Sequence, residues 1–358
     1  DATSSGGLSI SAHGNASING NLTMNSHAIN NVTDPSNAQD AATKNYVDNN
    51  ALPSGSIVQF TTAGTHTGYT YTQSSMLTFG GGNTWASVGS MPSSRNGATA
   101  VALNGKIYVM GGNGGSTTVY MYDPVTNSWT TKASMSHSRD QFSSAVYNGK
   151  IYVFGGEYYG NSAEVYDPVS NSWSAITAPA NLHGSTNSAA VLGDKIYLAG
   201  GFTGSIALNT LEAYDPATDS WSSKASFTTA RNACGLAAVG GKLYLFGGNT
   251  GGSPLGDVQA YDPTTNSWTT VTSMNAGVRY PAVGVINGKI YVDGDLNTTA
   301  QVYDPVLDTW TNRAAMSTTR GSSCGTALDG YFYEIGGSSL SSVERLNTAM
   351  TIYYYSKN

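Results

Sequence analysis

Ten residues beyond five of the six tryptophans stands a cationic or imidazole side chain: Arg95, Arg139, His183, Arg231 and Arg320, while Trp268 reaches Arg279 at eleven. Guanidinium groups donate hydrogen bonds in a planar fork, so several around one opening would take up carboxylate, sulfate or phosphate groups, even on a chain of net charge -6. The competing reading pairs each cation with a nearby carboxylate or carbonyl, and both readings stand at this point. Aromatic rings form a second set. Tyr158 and Tyr159 in EYYGNS (157–162) and Phe202 in FTGSIALN (202–209) stand among small polar residues. A ring gives a sugar an apolar face for its C–H groups while Asn, Asp and Glu take its hydroxyls; ordinary packing is the alternative for each ring. Carboxylates form a third set. Asp293 and Asp295 flank Gly294 and could hold a cation or pair with an arginine. Calcium needs about six oxygens, and with two carboxylates in view the arginine partner is preferred. Asp140, Glu157, Asp257 and Asp295 could supply a hydrolytic pair, which glycoside cleavage needs roughly 5 to 9.5 Å apart. No linear spacing makes any two of them converge, so no catalytic residue, metal or cofactor is assigned.

These side chains need a scaffold, and the chain repeats one. Tyr-Asp-Pro, four residues, then Trp occurs five times, from Tyr122, Tyr166, Tyr214, Tyr261 and Tyr303 to Trp129, Trp173, Trp221, Trp268 and Trp310. Ahead of each lies an alternating segment, usually closed by a glycine pair: KIYVMGG ends at Gly112, KIYVFGG at Gly156, KIYLAGG at Gly201 and KLYLFGG at Gly248. A further copy, YFYEIGG, ends at Gly337, and the fifth reads YVDGDLN instead. Successive tryptophans are 42 to 48 residues apart, the length of one four-stranded propeller blade. Composition agrees. The 358 residues include 43 Gly and 23 Tyr with only 11% charged side chains, against roughly 25% in an average domain, which suits many short strands joined by turns.

This pattern resembles the kelch repeat over about 270 residues. The resemblance implies an all-β, six-bladed propeller in which the spaced Tyr and Trp pack between blades. It also implies that the arginines just before each first strand rim the mouth of the central channel and contact ligands. The glycines then mark close backbone approach rather than phosphate loops.

Each blade reads as strands a (97–103 in the first), b (106–110), c (117–122) and d (128–134). The last unit supplies a (322–328), b (331–335) and c (342–346) but lacks the Pro and Trp. Trp85, in NTWASVGSM, has no such strands before it, so segment 83–91 is expected to provide the missing strand d and close a propeller spanning 83–349. Closure removes two exposed sheet edges. The Tyr-rich TIYYYS is the rival for that place, because Tyr353 also follows Leu346 by seven.

The first 80 residues differ in kind. Residues 8–33 hold too few apolar side chains for a monomeric core, and 36–50 is predicted as a helix begun by a Ser36–Gln39 capping box. Its Ala38, Ala41, Ala42 and Tyr46 face needs a partner to be stable. Met24 to Asn50, MNSHAINNVTDPSNAQDAATKNYVDNN, resembles the repeated stalk element of trimeric phage tail fibres and related bacterial fibre adhesins. That resemblance implies a homotrimeric stalk over 1–50, followed by a neck over 51–82. Residues 350–358 are expected to return and pair with GSIVQF (55–60).

In antiparallel blades the d–a and b–c loops share one face, and the a–b and c–d loops share the other. The chain enters at the start of a strand d and leaves after a strand c, both on the a–b/c–d face. The b–c loops and the cation register therefore point away from the stalk. Other function classes fit less well. No Lys/Arg block marks a nucleic-acid binder, and no apolar run approaches a membrane span of about 18 residues. Cys234 and Cys324 are too few for a disulfide scaffold or a thiolate zinc site. A copper site like that of galactose oxidase needs His, Tyr and Cys together, whereas the predicted propeller holds only His137 and His183. TFGGGNTW (78–85) resembles the sialidase box, with Gly80 in the place of its Asp. The expected function is a non-enzymatic, extracellular fibre tip that binds a cell-surface glycan, with no nucleic-acid or membrane partner. The alternatives are a glycan-degrading enzyme and a binder of a protein receptor.

Overall fold

A computed structural model describes residues 2–3, 7–8, 65–66, 69–79, 83–156, 161–183, 188–294, 298–348 and 350–357. The chain divides into two units, Thr84–Leu346 and the pair of segments Asp1–Asn83 and Asn347–Asn358. The larger is a six-bladed β-propeller. Blade one consists of strands Thr99–Leu103, Lys106–Met110, Val119–Asp123 and Ser128–Lys132. Blade two follows as Ser143–Tyr147, Lys150–Phe154, Ala163–Asp167 and Ser172–Ile176, and blade three as Ala189–Leu192, Lys195–Ala199, Leu211–Asp215 and Ser220–Lys224. Blade four is Asn232–Val239, Lys242–Asn249, Val258–Asp262 and Ser267–Val271; blade five is Ala282–Ile286, Lys289–Asp293, Thr299–Asp304 and Thr309–Ala315. In each, a to d are hydrogen-bonded in that order.

Blade six takes Cys324–Leu328, Tyr331–Ile335 and Val343–Asn347 from the end of the repeat region and Trp85–Val88 from its start. Leu346 lies opposite Trp85 as Tyr122 lies opposite Trp129. Neighbouring strands a touch all the way round, blade six meeting blade one.

Local chemistry explains the strands. Strand b is enclosed on both faces, its second to fifth residues buried in every blade, and the a–b connection is a two-residue hairpin such as Asn104-Gly105, both with positive φ (51° and 70°), the Asn-Gly signature of a type I′ turn. The glycine pair after strand b marks a crowded place. A Cβ on Gly111 would lie 2.5 Å from the Phe142 ring and 2.7 Å from the Arg139 carbonyl.

The junctions between blades repeat one design. Each Trp indole N–H donates to a carbonyl of the preceding blade: Trp129 to Gly89 at 2.7 Å, Trp173 to Ala133 at 2.9 Å, Trp221 to Thr177 at 2.8 Å, Trp268 to Ala225 at 2.7 Å and Trp310 to Thr272 at 2.9 Å. Trp85 does the same to Ala314 at 2.8 Å. In five blades the residue that offers the carbonyl also donates its N–H to an Asn or Asp in the c–d turn, which in turn accepts the Tyr hydroxyl, as Gly89 and Tyr122 do with Asn127. The six tryptophans are therefore blade-packing residues.

In the smaller unit, Met350–Lys357 pairs with Tyr69–Phe79, and Thr65–His66 pairs on the other side of that strand. An eleven-residue β-prone run accepts all eight residues of the terminal strand, from Met350 opposite Phe79 to Lys357 opposite Tyr71, while the partner expected for that strand, 55–60, lies outside the described residues. Ala2–Thr3 pairs with Gly7–Leu8. The rest of the expected stalk, its 36–50 helix and segment 55–60 lie outside the described residues.

Candidate functional site

Each segment linking strand d to the next strand a runs between two b–c loops. It is tied to the first by backbone, as the Arg139 N–H is to the Ser116 carbonyl (3.0 Å) and the Arg231 N–H to the Leu208 carbonyl (2.9 Å). The cation then reaches into the next blade. Arg139 Nη1 donates to the carbonyls of Gly155 and Ser162, and Nη2 donates to Glu164 Oε1 at 2.9 Å. His183 sets Nδ1 against the Gly200 carbonyl at 2.6 Å and Nε2 against Glu212 Oε2 at 2.7 Å. Arg231 bonds the Gly247 carbonyl and Asp257, and Arg320 bonds the Gly336 and Ser342 carbonyls and the Ser342 hydroxyl. Arg95 lies over the Tyr120 ring, 4.9 Å from its centroid.

The expectation that these six side chains rim the channel and meet a ligand is therefore corrected for five of them. Arg139, His183 and Arg231 have no exposed surface, Arg320 has 1% and Arg95 7%. The terminal donors of Arg139, Arg231 and Arg320 and the ring of His183 are taken up as staples between blades, as a buried polar group requires, whereas Arg95 rests on the Tyr120 ring and Nε of Arg95, Arg139 and Arg320 has no hydrogen-bond partner. Arg279 is half-buried. A sequence signal for this role was available. The second residue of strand c is Glu164, Glu212 and Glu344 in blades two, three and six, an acid register matching the cation register. Burial raises the Glu164 carboxyl, but the Ser136 N–H, His137 and Arg139 more than offset it and hold it below its ordinary range. Glu212 is lowered in the same way against its burial, chiefly by His183.

Of the carboxylates open to hydrolytic roles, the two among the described residues are occupied or enclosed. Asp257 is the partner of Arg231, and Asp140 is buried. Asp293 takes no hydrogen bond from an arginine, correcting the preferred pairing; its Oδ1 accepts the Gly294 N–H and its Oδ2 has no partner. Among the described residues no group of three or more potential ligands could hold a metal ion. Glu157, Tyr158, Tyr159 and Asp295 lie outside the described residues.

Phe202 remains on the surface, 37% exposed, and its loop supplies a feature the sequence reading passed over. Phe202 bridges Ala207, the Thr203 N–H donates to the Ile206 carbonyl (3.0 Å), and the Ile206 N–H donates to Thr203 Oγ1 (3.1 Å), so 202–207 is a small hairpin. It presents Ile206, 66% exposed, beside an open groove of about 490 Å³. The groove is lined by Ser205, Ile206, Ala207, Thr228, Thr229, Ala230 and Thr250, between blades three and four. Its wall is hydroxyls and methyl groups without a charge. The first and last residues of the propeller unit fall on the opposite face, since Trp85 starts a strand d and Leu346, its partner, ends a strand c.

Residues 82–229 match the KLHDC2/KLHL20/DRC7 Kelch-repeats domain and residues 230–275 match the Kelch motif. The solved structure of YjhT is similar, with a TM-score of 0.61 and 19% identity over 76% of this chain and 99% of its own. No curated protein sequence matches.

Proposed function

We propose, from the premise that this chain carries kelch repeats folded as a six-bladed β-propeller, that the b–c face recognises a largely uncharged carbohydrate without cleaving it. The observation that carries the reading is the groove beneath the 202–207 hairpin. Ile206 in the groove wall and the exposed Phe202 at the base of the same hairpin give apolar surface for sugar C–H groups, and Ser205, Thr228, Thr229 and Thr250 in the wall offer hydroxyls that both donate and accept. The buried arginines supply no anion site, so a sulfated or sialylated ligand gains no charge complementarity from them. Hydrolysis is disfavoured because the groove holds no carboxylate. The propeller's chain ends leave by the other face, which suits a tip carried on an extracellular stalk. Three copies on a trimeric fibre, as the Met24–Asn50 resemblance implies, would raise avidity on a surface of repeated epitopes.

A glycan array probed with the full chain tests this, beside a variant carrying Phe202→Ala and Ile206→Asp. We expect retention on neutral glycans, at least a tenfold loss in the variant, an unchanged Tm, and a solution mass of three chains. Retention that survives both substitutions would remove the groove from the reading. Release of shortened sugars would make the protein a hydrolase, binding confined to a protein receptor would end the glycan reading, and a monomeric mass would end the fibre reading.

A further inference from the structure

At five of the six blade junctions, the fifth residue of strand b shares an apolar cluster with the fourth residue of strand b in the next blade. The pairs are Met110 with Val153, Phe154 with Leu198, Ala199 with Leu245, Phe246 with Val292 and Ile335 with Val109. The remaining junction, between blades five and six, places Asp293 and Glu334 at these positions. Both are enclosed, at 1% and 0% exposure. Small residues make the room. Asp293 lies opposite Ala282 in its ladder and Glu334 opposite Gly325. A Cβ on Gly325 would lie 2.7 Å from that of Ala282 and 3.3 Å from Glu334 Oε2.

Each carboxyl has one oxygen satisfied, Asp293 Oδ1 by the Gly294 N–H and Glu334 Oε1 by the Ser323 hydroxyl, while Asp293 Oδ2 and Glu334 Oε2 have no hydrogen-bond partner. The groups around them do not neutralise two charges. From the d–a segment of blade six comes Arg320, whose Nη1 and Nη2 donate to Gly336 and Ser342 while its Nε has no partner. From strand c comes Glu344, 3.8 Å from Arg320, and from strand a the Cys324 thiol. The segment packed on Gly294 contributes the carbonyls of Arg279 and Tyr280. Two unpaired anions in such a place would be strongly destabilising.

We infer that the enclosed Asp293 and Glu334 carboxyls are held protonated at the junction of blades five and six, and that loss of these protons loosens this junction, so that acid tightens the ring and alkali slackens it. The electrostatics agree with the geometry. Burial, then the charge of Glu334, holds the Asp293 carboxyl well above its ordinary range, and burial pushes Glu334 up to about 7 against the Ser323 hydroxyl and Arg320. In the unfolded chain both groups lose their protons near pH 4 (roughly 3.9 and 4.3). Between about 4 and 7 the folded protein therefore binds more protons than the unfolded one, so this contribution to stability is full at the acid end and lost as pH rises. The sequence carries the mark in YVDGD and YFYEI, where an acid interrupts the apolar run of strand b.

Thermal unfolding of the full chain at pH 5 and pH 8, for wild type and for Asp293→Asn with Glu334→Gln, reads the effect. Wild type should lose on the order of 5 °C more than the amide variant between the two pH values. An equal or smaller loss in wild type overturns the inference. Should the variant not fold, infrared spectroscopy of wild type keeps the test open. A protonated-carboxyl band at pH 6 that disappears by pH 9 supports the held protons, and no such band at pH 6 overturns the inference.

Discussion

At the c–d edge every blade junction is fastened by a tryptophan indole and a carbonyl of the preceding blade, whereas at the b–c edge the fastening changes from blade to blade. There Arg139 takes Glu164, His183 takes Glu212, Arg231 takes Asp257, Arg320 takes Ser342, and Arg95 settles over the Tyr120 ring. The c–d edge repeats because it solves one problem six times, covering much of a large ring while satisfying its only donor. The b–c edge meets that packing demand and also forms the loops, so its partners drift with loop length and composition. Invariant chemistry marks the face that builds the ring, and varied chemistry marks the face where recognition is proposed.

The comparison breaks most visibly at a tryptophan. Trp129→Ala should lower stability by roughly 3–5 kcal/mol through lost burial and an unfilled space between blades, measured by denaturant unfolding; Trp85→Ala, at the seam, should cost a similar amount. A much smaller loss at Trp85 would mean that the ring does not depend on its closing strand. Next comes the buried staple. Arg139→Met leaves Glu164 enclosed beside His137 and should cost about 3 kcal/mol, while the paired change Arg139→Met with Glu164→Leu should cost distinctly less. Because Glu164 is held below its ordinary range, the stability it contributes is present above about pH 4.3 and lost as pH falls through its folded value. Glu164→Gln should therefore flatten the acid limb of a stability-against-pH curve. This slope is opposite in sign to that of the Asp293–Glu334 pair. The smallest effect belongs to the repeated surface bridges. Lys150→Ala removes the 3.1 Å contact with Asp167 and should leave Tm unchanged within error, since exposed pairs contribute little.

Much of the propeller was legible in the chain because its information is local and repeated. The Tyr-to-Trp spacing of seven and the glycine pairs each state a backbone requirement within a few residues, and five copies of each remove the ambiguity of any one. Trp85 was legible as a stray strand d for the same reason. The candidate site was far less so. Arg139 and its equivalents announced themselves by register, but register says nothing about whether a guanidinium turns to the channel or into the next blade. Loop 202–209 drew notice for Phe202, whereas Ile206 and the threonines of the following d–a segment become neighbours only when blades three and four are set side by side.

Residue order alone determined the number of blades and which side chains pack between them, because those depend on spacing along one strand or one turn. Only the tertiary structure decided what became of the charges. Glu164 is 25 residues beyond Arg139, and Glu334 is 41 beyond Asp293. Whether such groups meet, and whether water reaches them, depends on the curvature of the closed ring. Enclosure then makes one pair a staple and the other a held proton, since a charge shut away from solvent must be matched or given up.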